Sequence, residues 1–260
     1  MTVKRRYDDL KLHLAVLGEE HEISVKTRVW PTAVVEIIET ARAITDGFTS
    51  IAAANAERAA LKVSCKKGCT ACCYQTVPVA PIEALHLAQV VDAMPEGRRS
   101  IVKSRFEAAL AKLKELGLWR PEPRAGKWAL RSTATTVHEQ WEDISRRYFE
   151  AVIPCPFLEE GACSIYADRP SPCREYAVTS APEECTKLST EVRTIARPVH
   201  MGEVLTALSN EELGRDDKQI PLVLALAWAR ENGRSLQQKK DGEHLAMALV
   251  EQIQAADRSE

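Results

Sequence analysis

Leu10, Leu12, Leu14 and Val16 occupy alternate positions, and beyond Gly18-Glu19-Glu20 the alternation returns at Ile23 and Val25, with Val29 further on. A period of two marks half-buried strands, so residues 10–29 predict a β-hairpin turning at Gly18-Glu19-Glu20. Leu10, Leu14 and Leu17 also suit a helix. From Pro31-Thr32 the period changes. Val34, Val35, Ile38, Ala41, Ile44 and Phe48 share one helical face, and Pro31 suits a helix start. Alanine-rich sequence carries this helix through Leu61, with Asp46-Gly47 as the place for a break.

Residues 65–81 are cysteine-rich and then marked by Pro78 and Pro81, which predicts irregular chain entering a helix. Helical periodicity covers residues 82–94 and, after Pro95, residues 97–116. Pro121, Pro123 and Gly126 make 119–127 a loop. A third helix is expected over 132–152, with Val137, Trp141, Ile144, Tyr148 and Phe149 as its apolar stripe. Prolines and four cysteines fill 153–186, a compact loop-rich unit, and 201–256 reads as two or three helices. The most apolar stretch, residues 220–229, is about half the ~20 residues of a membrane span and predicts a buried helix.

The expected fold is therefore mainly α with small β-hairpin and loop elements, the helices surrounding a cysteine-rich metal-binding loop core. It is expected to be one domain, 1–260. Its parts are an N-terminal hairpin and helical segment (1–61), a cysteine-rich core (62–81 and 153–186), a helical insertion (82–152) and a C-terminal helical segment (187–260).

Charge and composition narrow the function. Lys plus Arg number 35 and Asp plus Glu 37, for a formal net charge of −2. Nucleic-acid and anionic-membrane binders usually show a basic excess, and 5% aromatic content is thin for base stacking. Met1 to Asp9 carries charge with no apolar run behind it, so no signal peptide is expected. These features predict a cytoplasmic protein that binds neither nucleic acid nor membrane. In the reducing cytosol, close-set cysteines point to metal rather than disulfides.

Four of the eight cysteines lie in Cys65-Lys66-Lys67-Gly68-Cys69-Thr70-Ala71-Cys72-Cys73. Thiolates must converge to about 2.3 Å from one ion, and a tight turn achieves this at short spacing. Gly68 reaches left-handed dihedrals, and Lys66 and Lys67 offset thiolate charge. The competing explanation is a buried helical stripe, because the four fall at i, i+4, i+7 and i+8. Gly68 would cost such a helix about 1 kcal/mol, and a core stripe normally mixes in larger apolar residues. Adjacent Cys72 and Cys73 diverge, so they serve different metals, or one bridges, or one lies outside the first coordination sphere.

The second group is Cys155, Cys163, Cys173 and Cys185. A hairpin turning at Glu160-Gly161 would bring Cys155 and Cys163 together. Pro154, Pro156, Pro170 and Pro172 stiffen the flanks, and Arg169 and Arg174 are placed to donate hydrogen bonds to metal-bound sulfur. No turn or spacing supports Cys185, although it joins the other seven as a candidate metal ligand. None of the six histidines lies at ligand spacing, no glycine-rich phosphate loop occurs, and no catalytic constellation is legible.

Cys-x3-Cys-x2-Cys-Cys, then Cys-Pro-Phe-Leu, a further Cys, and Ile-Tyr-x-x-Arg-Pro-x-x-Cys-Arg resemble the YkgJ-type cysteine-cluster family, described as zinc- or iron-chelating. A related cysteine pattern occurs in flagellin lysine N-methylases, where it accompanies an iron–sulfur cluster. The resemblance rests on residues 65–73 and 155–174. It implies Cys65, Cys69, Cys72, Cys73, Cys155, Cys163 and Cys173 as ligands, but neither Cys185 nor a substrate.

The leading expectation is a metal-binding protein holding a [4Fe-4S] cluster or zinc. Well-separated ligands suit the corners of a cluster, and the short first block suits zinc. The alternatives are an iron–sulfur protein-modifying transferase like the lysine N-methylases, and a redox sensor or metal chaperone. The metal is the only expected partner with a chemical basis in the sequence; a protein partner is left open.

Overall fold

The computed structural model describes residues 7–16, 19–120, 127–187, 189–197 and 199–257. Among these residues it is mainly α, with small paired strands and no barrel. The expected turn residue Gly18, with Leu17, and the loop residues Pro121, Pro123 and Gly126 lie outside the described residues. So does the side chain of Val137.

Strands β1 (Tyr7–Val16) and β2 (Glu19–Arg28) form the antiparallel hairpin, in register from Tyr7 opposite Arg28 to Val16 opposite Glu19. Leu12, Ile23 and Val25 point inward, so the period-two pattern decides against a helix here. The chain then pairs β3 (Thr32–Ala33) with β8 (Lys239–Lys240) before a short turn of helix, Val34–Ile37, leads into α1 (Ile38–Arg58). The helix thus begins later than Pro31 suggested. Glu36 explains the delay: it accepts from the Ala33 amide at 2.9 Å and from Thr32, capping the chain after the strand.

Nor does α1 break at Asp46-Gly47. A Cβ at Gly47 would sit 3.1 Å from Ile23 Cγ2, so the glycine lets the hairpin press onto an unbroken helix.

After the first cysteine block, β4 (Pro78–Val79) pairs with β7 (Ile220–Pro221), and α2 (Pro81–Asp92) follows. Pro81, Ile82, Glu83, Ala84, Leu85 and Leu87 are all buried, which makes α2 the central helix. It packs against α6 (Met201–Leu213) and α7 (Ala225–Asn232). The apolar stretch 220–229 is therefore strand, turn and helix rather than one helix. Pro221 ends the strand and begins the turn.

Helix α3 (Glu96–Glu115) runs on the outside, with Val102, Phe106, Ala109 and Leu113 facing in. Helix α4 (Val137–Glu150) starts five residues later than the periodicity suggested, because a Thr136–Glu139 capping box fixes its start. Ile144 and Tyr148 are buried as expected, but Trp141 is 52% exposed and leaves the stripe.

Helix α8 (Gly242–Asp257) closes the fold. One continuous core runs from Leu12 to Ile253, and a satellite of Ala52, Ala177 and Ile195 lies beside it. A Cβ on Gly242 would fall on the Arg28 carbonyl oxygen and within 2.7 Å of that of Trp30. Because backbone oxygens give way poorly, Gly242→Ala is expected to destabilise the chain by about 1–3 kcal/mol, read as a lowered denaturant midpoint at constant m-value.

Candidate metal centre

The two cysteine blocks meet through their backbones. The Cys155 amide donates to the Cys73 carbonyl at 2.7 Å. Lys66–Cys69 closes as a turn, with Cys69 N to Lys66 O at 2.9 Å, and Gly68 adopts φ +92° as its residue type suggested. A single helical turn, Ala71–Tyr74, then carries Cys72 and Cys73, so the four cysteines do not form a helical stripe. In the second block, β5 (Leu158–Glu159) pairs with β6 (Ala162–Cys163). Glu160 and Gly161, at φ +46° and +72°, make the tight turn between them. Helix α5 (Ser171–Glu175) carries Cys173.

All eight cysteines are free thiols. Cys72 is near thiols of both blocks. It is close enough to raise the thiol pKa values of Cys65, Cys155, Cys163, Cys173 and Cys185. Cys69 acts on Cys65 and Cys185, and Cys73 is hydrogen-bonded to Cys72 and raises its pKa. Cys185, which no sequence turn or spacing supports, is drawn in by the turn Pro182–Thr186 packing on Ala71–Tyr74. Gln75 Nε2 donates to its carbonyl at 3.2 Å, and Tyr176 hydrogen-bonds its sulfur. Among the described residues, no three His, Cys, Asp or Glu side chains converge tightly enough to hold one ion. The sulfurs share a neighbourhood rather than a finished coordination polyhedron.

Burial and mutual proximity hold these thiols protonated. Burial pushes the Cys155 thiol up to about 12, with Cys163 and Cys72 adding to it. Burial likewise lifts Cys173 well above the ordinary thiol value, helped by Cys155, Cys72 and Cys163. Cys72 is raised first by its hydrogen bond with Cys73 and then by burial. Packed thiols resist ionising together, and a bound cation reverses that balance. Backbone amides already point at sulfur: Val178 N–H donates to Cys65 Sγ at 3.3 Å, Phe157 to Cys155 and Ile165 to Cys163. Such donors stabilise thiolate when it forms.

The two arginines flanking Cys173 divide their roles. Arg169 lowers the pKa values of Cys65, Cys72, Cys163 and Cys173, a set spanning both blocks. Its guanidinium stacks 3.9 Å from the Tyr166 ring centroid, and Lys67 of the first block lies 5.7 Å from the same ring. Its Nε is buried without a hydrogen-bond partner among the described residues. Arg174 instead turns away, to both oxygens of Asp46 at 2.7 and 3.0 Å and to the Arg169 carbonyl at 2.8 Å. It braces the loop against α1.

A second brace joins α1, α2 and the loop before α5. Arg42 Nη1 meets Asp168 Oδ1 at 3.0 Å and His86 Nε2 at 2.8 Å. Burial first, and Arg42 second, push the His86 pKa down to about 4. The folded state thus favours neutral His86, and its contribution is complete above the unfolded value near 6.5. Stability is expected to fall as pH drops from about 6.5 through about 4. The fall should be shallower in His86→Gln; parallel pH profiles of the denaturation midpoint for the two proteins would contradict the assignment. Sequence reading missed Arg42, His86, Gln75, Tyr176 and Glu83. Arg42, His86 and Glu83 act across more than forty residues of sequence, and Gln75 and Tyr176, though close to cysteines, carry no spacing signal.

Two clefts flank the cysteines and share Phe149. One, of about 390 Å³, is lined by Thr70, Tyr74 and Pro182; the other, of about 720 Å³, by Gln75, Trp141 and Tyr176.

Gathered free thiols, sulfur-directed amides and an arginine whose Nε has no partner among the described residues match the chemistry of a thiolate metal-binding domain. The chain belongs to the CxxCxxCC family, described as "Putative zinc- or iron-chelating domain", whose model matches residues 64–193. Its first cysteine gap holds three residues rather than the two in the family label, with Gly68 at positive φ inside it. No curated protein and no solved structure gives a significant match. Among the described residues, no helix is long and apolar enough to cross a membrane.

Proposed function

We propose that thiolates from both blocks hold one polynuclear metal centre, an iron–sulfur cluster, with Cys72 at its middle. Cys65, Cys69, Cys72, Cys155, Cys163 and Cys173 are the leading ligand candidates; Cys73 and Cys185 flank them. The observation that carries this reading is the position of Cys72 within reach of sulfurs from both blocks, beside the unpartnered Nε of Arg169. A single zinc ion takes four ligands at one point, whereas a cluster presents separate corners to separate residues. Sulfurs from both blocks near Cys72, with no three described side chains converging on one point, favour the cluster. The metal would join loops distant in sequence, while the surrounding helices support the cysteine core within one domain. Anaerobic purification should yield a brown protein whose broad visible absorption is bleached by dithionite, with iron and inorganic sulfide in equal amounts. A colourless protein with stoichiometric zinc would replace the cluster with zinc sites, and a folded chain without metal would end the metal reading.

The 720 Å³ cleft favours a second reading, a transferase resembling the lysine N-methylases with the metal centre structural. Helix α4 supplies one wall and Tyr176, beside Cys185, another. The metal-loaded protein should then gain thermal stability with S-adenosylmethionine; an unchanged melting temperature at millimolar ligand would count against it.

A further inference from the structure

Glu83 is an expensive residue to bury. It is 2% exposed on the central helix α2, and no direct ion pair to it is found among the described residues. Its carboxylate is instead used at both oxygens by backbone amides. Oε2 accepts from Ala80 N at 2.9 Å, capping its own helix. Oε1 accepts from Ser171 N at 2.6 Å, 88 residues away in sequence. Ser171 opens α5, and Cys173 lies two positions on.

The other end of α5 is held in the same manner. Glu175 is 4% exposed and accepts from Met201 N at 2.9 Å, at the start of α6. The short helix carrying Cys173 is thus clamped between two buried carboxyl groups, one reaching it from α2 and one that it extends to α6. A cap for α2 alone needs neither burial nor the second contact. A five-residue helix has little stability of its own, so its orientation comes from these contacts.

We infer that Glu83 is a positioning residue for the metal centre: it fixes the backbone before Cys173 and thereby aims that sulfur at the other cysteines. The inference rests on the thiolate reading of the site. Groups that orient metal ligands commonly change metal affinity 10–100-fold when removed.

The test uses the metal-loaded full chain and follows the metal lost to excess EDTA. Glu83→Gln keeps the shape but offers one acceptor to two amides. Ser171→Pro removes the donor from the other side without touching α2, at a helix position that tolerates proline. Each variant is expected to lose metal at least about 10-fold faster than the wild type. In a Cys173→Ser background, Glu83→Gln should add little, because the sulfur that it aims is gone.

Equal release from wild type and both variants would overturn the inference, as would an undiminished effect of Glu83→Gln in the Cys173→Ser background. That second result would make Glu83 a general stabiliser of the fold. Should Glu83→Gln fail to fold, Ser171→Pro decides alone, by the same release rate and the same double-variant comparison. A wild-type chain that holds no metal would instead refute the thiolate reading itself, a separate outcome.

Discussion

Cys72→Ser is expected to lose essentially all bound metal, while Cys73→Ser retains most of it. The two are neighbours, equally exposed in class, and sequence alone ranks them alike. Their surroundings differ. Cys72 acts on five other cysteines drawn from both blocks, whereas Cys73 is hydrogen-bonded to Cys72. Consecutive side chains diverge, so a centre that takes Cys72 inward leaves Cys73 at its edge. Serine preserves size but is a poor ligand for a thiophilic metal. Metal per chain, measured after anaerobic purification of each variant beside the wild type, decides the matter. Equal loss from both variants would mean that Cys73 is as central as Cys72. Loss from Cys73→Ser alone would invert the proposed centre.

Stripping the metal should have the largest effect on stability, and the effect should be uneven. The cysteine loops have no broad apolar core of their own. Cys155 and Cys163 pack on the edge of the main core, and Cys65 on the small satellite of Ala52, Ala177 and Ile195. Much of what holds the blocks is then the metal itself, and binding free energy becomes folding free energy. A ligand present at about 1,000 times its dissociation constant stabilises by ~4 kcal/mol. For a chain of this size, that corresponds to a melting temperature lower by about 10 °C after chelation. Hydrogen exchange should rise across residues 64–77 and 155–187, while α2 and α6, which build the main core, remain protected. A uniform loss of protection would mean that the metal supports the whole fold, and no loss would mean that the loops stand without it.

Much of this architecture was legible in the residues. Alternation at Leu10, Leu12, Ile23 and Val25 specified the hairpin, because one face is buried and a slip would expose it. Glu160-Gly161 and Gly68 announced turns that the backbone adopts with positive φ. The helical segments appear where the 3.6-residue period placed them, with boundaries shifted by capping residues such as Thr136 and Glu36. Periodicity reports which face is buried but not where the first amide finds an acceptor.

The misreadings have the same origin. Trp141 fits the spacing of a core stripe, yet it stands on the rim of a cleft. Residues 220–229 are apolar enough for a helix, but Pro221 and pairing with Pro78 and Val79 divert them into strand and turn. At the site, spacing made the first cysteine block conspicuous and left Cys185 unsupported. Its place depends on Gln75 and Tyr176, contacts that exist only once the chain has folded. Glu83, Arg42 and His86 were invisible for the same reason: each acts across more than forty residues of sequence.

In the proposed site, sulfur from both blocks binds one metal centre. X-ray absorption at the metal edge of the anaerobically purified protein reads this arrangement. The expected spectrum has a shell of sulfur alone at about 2.3 Å, with metal–metal scattering beyond it, and that shell is disrupted in both Cys72→Ser and Cys173→Ser. A shell dominated by oxygen or nitrogen, or a sulfur shell indifferent to Cys173, would contradict this site.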